Sequence, residues 1–93
     1  MRIERVSLAR LRTVRRMMGR MLRSDSFDCL DNADASVGRS VRGDIEDTLY
    51  YLDRAISDYA NISALQRSQA INFSMSARRW FFYQAERLGC AVS

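Results

Sequence analysis

Apolar residues recur at helical spacing in three stretches of this chain, and period-two alternation is sustained nowhere, so the pattern predicts an all-α protein. In residues 2–23, Ile3, Val6, Leu11, Val14, Met17, Met18, Met21 and Leu22 share one face. Within them Leu11, Val14, Met18 and Met21 step by three, four and three, a heptad seam. In residues 44–60, Ile45, Leu49, Leu52, Ile56 and Tyr59 step by four, three, four and three. The third stretch, 62–88, is apolar on two sides. Ile62, Phe73, Ala77, Trp80, Phe81 and Leu88 form a broad face. Ile71, Met75 and Phe82 form a second stripe roughly a third of a turn away, at about 100° per residue. A helix with two apolar faces is central to its domain or also meets a partner.

Local signals place the ends. Asp44 is a candidate N-cap with Glu46 and Asp47 in its first turn, where the helix dipole favours acids. Ser63 with Gln66 is a candidate capping box, and Gly89 a candidate C-terminal stop. Residues 24–43 read as an irregular, acidic connection pinned to the core by Phe27, Leu30 and Val37. Asp25, Asp28, Asp31 and Asp34 recur at every third position there. That spacing does not match a calcium loop, which needs acids at alternate positions, and a short helical turn capped by Asp25 is the simpler reading. The expected architecture is one domain over residues 1–93, a small three-helix bundle with helices at about 2–23, 44–60 and 62–88. The short connection makes the second and third helices antiparallel neighbours.

Charge sharpens this picture. All fifteen basic residues are arginine, and histidine, lysine and proline are absent. The first 24 residues hold eight arginines and one acid, residues 25–60 three arginines and nine acids, and residues 61–93 four arginines and one acid. On the first predicted helix Arg2, Arg5, Arg12, Arg16, Arg20 and Arg23 lie opposite the apolar face in a stripe about 80° wide, with Arg10 and Arg15 on its flanks. The acidic middle of the chain can reach the flanks. It cannot easily reach the centre of the stripe, because a helix packed by its apolar face points the other side outward. A solvated bundle surface accounts for such a stripe, and so does an anionic partner.

Catalytic chemistry is poorly supplied. Without histidine or lysine no Ser–His or Cys–His pair can form, and there is no glycine-rich phosphate loop. No enzyme activity, cofactor or metal is expected. Cys29 and Cys90 are too few and too far apart in the chain for a disulfide framework or a zinc site, and two reduced thiols in a cytoplasmic protein are expected. No run approaches the ~20 apolar residues of a membrane span. The expected function is that of a small helical interaction protein, a regulator, adaptor or inhibitor, that binds an anionic or mixed protein surface through Arg5, Arg12, Arg16, Arg20 and Arg23. The alternative is a DNA- or RNA-binding regulator. Residues 66–83 can be laid on a helix-turn-helix with its turn at Ser74, Trp80 and Tyr83 inward, and Arg78, Arg79 and Phe82 toward the groove. A homodimer is also expected, with Ile71, Met75 and Phe82 as its interface and the first helix's heptad seam as the competing surface.

Overall fold

The computed structural model describes residues 5–90. Four helices follow one another: α1 Leu8–Leu22, α2 Asp25–Ala33, α3 Ala35–Ser57 and α4 Ala64–Arg87. The all-α expectation holds, and among the described residues there is no strand. The count of three helices does not hold, and neither does the irregular connection. Arg2 and Ile3, at the start of the expected first helix, lie outside the described residues.

Each helix begins on a side-chain cap, which explains its boundary. Ser7 accepts from the Arg10 backbone N–H at 3.1 Å, Ser24 from Phe27 at 3.2 Å, and Ser63 from Gln66 at 3.1 Å. At Ser63 the predicted capping box is complete, since the Gln66 side chain accepts from the Ser63 N–H at 2.8 Å. Asp34 accepts from both Ser36 and Val37 at 3.1 and 3.2 Å. It is the N-cap of α3 and at the same time the C-cap of α2. Asp44, the expected cap, therefore lies well inside α3, and Ser24 rather than Asp25 caps α2.

The run of acids at every third position resolves into separate local duties. Asp25 and Asp28 occupy the first turn of α2. Asp31 pairs with Arg42 of α3 at 2.6 Å, and Asp34 caps. Phe27 and Leu30 turn inward and are fully buried. α3 reaches back to residue 35 because Val37, Val41 and Ile45 extend the stripe of Thr48, Leu52 and Ala55 without a break. That burial offsets the weak helix propensity of Gly38 and Gly43, about 1 kcal/mol each relative to alanine.

α3 touches all three other helices and is the most extensively packed, a place the two-sided pattern of 62–88 had suggested for α4. The core joins Leu11, Met18, Phe27, Leu30, Val41, Ile45, Leu52 and Phe81, with Phe27 stacked on Phe81 at 5.5 Å. The Arg42 guanidinium lies over the Phe27 ring, 4.5 Å from its centroid. α4 ends in a Schellman motif: Gly89 takes φ +74°, its N–H donates to the Glu86 carbonyl, and the Cys90 N–H donates to Ala85 at 2.7 Å. This turn carries Cys90 back to α2, where it is disulfide-bonded to Cys29. The expectation of two reduced thiols fails, and with it the premise for a cytoplasmic setting. Sixty-one positions of sequence separation conceal a pairing that only the fold creates.

Candidate functional site

α1 presents its arginines as its apolar face dictates. Leu11, Val14, Met18 and Met21 are buried, so the opposite side faces solvent. Arg12, Arg16, Arg20 and Arg23 are exposed, and none forms an ion pair with a described residue. Among the described residues Arg16 donates to the hydroxyl of Thr13, at 3.3 Å. Arg5 is exposed too, but it precedes the Ser7 cap and so is not on the helix. The flank behaves differently: Arg15 reaches Asp53 of α3 at 3.0 Å. Both partners are well exposed, so this pair contributes about 0–1 kcal/mol. The acidic part of the chain thus neutralises the edge of the stripe and leaves its centre.

On α4 the structure splits the broad face: Ala77 and Phe81 are buried as expected, while Phe73 and Trp80 turn outward. Ile71 is buried, and Met75 and Phe82 are half-buried against the core. They have their partner within the chain, so the reason for placing a dimer interface on them is gone. Phe73 and Trp80, from the broad face expected in the core, stand 43% and 42% exposed. The helix enters the core on a sector that runs from Ala77 and Phe81 of the broad face to Ile71 of the second stripe, and Ala70, Ser74 and Ala85 within it permit close approach. Ser74 is wholly buried and donates to the Ala70 carbonyl at 2.8 Å.

The same stretch excludes the helix-turn-helix. α4 runs unbroken through Ser74, with no turn to separate a recognition helix. Trp80 and Tyr83, assigned inward in that scheme, are exposed. Arg78 is half-buried with its guanidinium 4.5 Å from the Phe82 centroid, while Arg79 is exposed and donates to Ser76 at 3.2 Å.

A groove of about 740 Å³ runs between the C-terminal half of α3 and the N-terminal half of α4. Tyr51, Phe73 and Gln69 line it, with Asp47 and Asp58 at its α3 side. Tyr51 meets Phe73 edge-on at 5.5 Å and Tyr50 at 5.6 Å. Arg54, also in the lining, donates to the Tyr50 hydroxyl at 3.2 Å. That hydrogen bond, followed by the electrostatic interaction with Tyr50, raises the Arg54 pKa from its ordinary value. Arg67 sits over Tyr59, its guanidinium carbon 3.8 Å from the ring centroid, and donates to the Tyr59 carbonyl. Tyr59 in turn donates to the Val6 carbonyl at 3.0 Å, which ties the chain before α1 to the α3–α4 turn. Among the described residues no group of acids and cysteines could hold a metal ion, and no helix is long and apolar enough to cross a membrane.

Comparisons with protein families, with curated proteins and with solved structures found no match for this chain. The sequence pattern located the arginine stripe. It missed the aromatic groove, whose walls come from two helices; the signal available was the adjacent pair Tyr50–Tyr51 at the edge of the α3 seam.

Proposed function

We propose that this protein is a non-enzymatic interaction protein, a regulator, adaptor or inhibitor, that binds an acidic protein surface through the outer face of α1. The carrying observation is the set Arg12, Arg16, Arg20 and Arg23, exposed along one side of a helix and without an ion pair to any described residue. Like charges at i, i+4 repel, a cost that an opposing anionic surface relieves. Guanidinium groups suit such a surface because they bind carboxylates two hydrogen bonds at a time. Single exposed pairs are weak, so several must act together and the binding is steeply salt-dependent. Arg5 joins the same contact from the segment before the helix.

The test is affinity capture from the native cell, with nuclease treatment in one arm and the Arg12→Glu, Arg16→Glu, Arg20→Glu triple variant in another. The proposal expects protein that is retained after nuclease and lost with the variant. The variant should unfold within about 0.5 kcal/mol of the parent per site, as exposed substitutions do. Capture that disappears with nuclease makes a phosphate backbone the ligand, and a log–log salt slope near −0.9 per neutralised phosphate would confirm duplex DNA. Unchanged capture by the triple variant reduces the stripe to a solubilising face and overturns the proposal.

A further inference from the structure

The exposed large apolar side chains of this protein are gathered on one side. Tyr50, Tyr51, Leu65, Phe73, Trp80 and Tyr83 all belong to α3 or α4, and among the described residues none lies on α1 or α2. On α4 the four of them fall within a sector about 80° wide at about 100° per residue, with Ser76 in its middle. Five of the six are aromatic, the side chains that enrich the centres of protein interfaces. They are also ordered in advance of any contact. Trp80 stacks on Tyr83 at 5.7 Å, and Tyr50, Tyr51 and Phe73 form a chain of edge contacts. An apolar patch of this kind, rimmed by polar groups, marks an interaction site.

We infer that this face is the two-fold interface of a homodimer, distinct from the arginine stripe. Three observations select a second copy as the occupant. First, the face carries both signs of charge: Asp47, Arg54 and Asp58 line the groove and Arg87 is exposed on α4, none of them in an ion pair with a described residue. A two-fold interface must be complementary to itself, which a mixed face satisfies and the all-arginine face of α1 does not. Second, the face has both a ridge and a groove. The Trp80–Tyr83 stack stands toward one end of α4, and the groove beside Phe73 and Gln69 lies toward the other. A two-fold axis across α4 near Ser76 pairs the helices antiparallel and sets the ridge of each copy into the groove of the other. The same operation brings Arg87 of one copy over the end of the groove where Asp58 and Gln66 lie. Third, the size is right. A 24-residue helix is about 36 Å long, and with its neighbour's width it covers roughly 700 Å², close to the ~800 Å² per partner of a stable interface.

Trp80 is the chain's only tryptophan, so its emission reports on the interface directly. Sedimentation equilibrium at tens of micromolar should show a dimer, and dilution should shift the emission to the red as the dimer dissociates. Trp80→Ala with Tyr83→Ala should weaken the dimer at least ~100-fold, as loss of central aromatics does. Asp58→Arg and Arg87→Asp should each fail to dimerise alone, because both sites then oppose like charges. Mixed together, they should form a heterodimer, since every pair is again opposite in sign. Circular dichroism of each variant checks that the helices persist. A wild-type monomer at tens of micromolar overturns the inference, and so does a dimer that survives the Trp80, Tyr83 double change. Failure of the heterodimer to form overturns the proposed register. None of these outcomes bears on capture through α1, so the two proposals fail separately.

Discussion

Two glycines of α3 respond to opposite forces. A Cβ on Gly38 would sit 2.1 Å from the Asp31 carboxylate and 3.0 Å from its Cα, so the obstacle includes backbone of α2. Gly38→Ala gains about 1 kcal/mol of helix propensity but forces the two helices apart, an overpacking cost of about 1–3 kcal/mol. Net destabilisation is expected, and a lowered urea midpoint would show it. A Cβ on Gly43 meets nothing within 4 Å. Gly43→Ala should therefore raise the midpoint, by up to about 1 kcal/mol in stability. If both variants moved the same way, the close approach of α2 to α3 would be wrong. Arg42 acts at the same junction, holding Asp31 at 2.6 Å while its guanidinium covers the Phe27 ring. A lysine there would keep the charge and lose the planar contact.

At the scale of the element, Asp34 is the pivot of the N-terminal half. One residue ends α2 and begins α3, and its carboxylate satisfies two backbone N–H groups that α3 would otherwise leave without partners. Asp34→Ala should cost about 0.5–2 kcal/mol, with the loss read by chemical denaturation. Asp34→Asn, which keeps the accepting oxygen, should recover most of it. An alanine variant as stable as the parent would mean that α2–α3 packing alone places this boundary. α1 shows the complementary case, an element whose buried face is settled by Leu11, Val14, Met18 and Met21 and whose opposite side carries the exposed arginines of the proposed contact.

Among the described residues, specific polar and covalent ties join segments far apart in the chain. Tyr59 reaches Val6, Arg15 reaches Asp53, and the Cys29–Cys90 bond closes the chain from α2 to the turn after α4. With its cysteines 61 positions apart, the bond should stabilise the fold by about 4 kcal/mol through the entropy of the unfolded chain. Urea unfolding with and without dithiothreitol measures this, and Cys29→Ser with Cys90→Ser should match the reduced protein. A difference near zero would mean that the reduced unfolded chain is already compact. The Phe27–Phe81 stack and the rest of the core are independent of the bond, so the reduced protein should remain helical at low denaturant.

The sequence by itself determined that this chain is helical, which face of α1 is buried, where the Ser63–Gln66 capping box starts α4 and where Gly89 ends it. Each of these is local: a periodicity, or a cap made by residues three positions apart. The arginine stripe was legible for the same reason, because the burial of one side of a helix dictates the exposure of the other. The tertiary structure decided the rest. Residues 24–43 are poor in helix signal, and they become α2 and the first turns of α3 because Phe27, Leu30, Val37 and Val41 find a core to enter. The two apolar stripes of α4 were both visible, but which one meets the core depends on where α3 lies. The answer was parts of both, Ala77 and Phe81 of one and Ile71 of the other with Ser74 between, which turns Phe73 and Trp80 outward. The disulfide and the aromatic groove are likewise contacts between segments far apart in the chain, and no pattern within one helix carries the position of another.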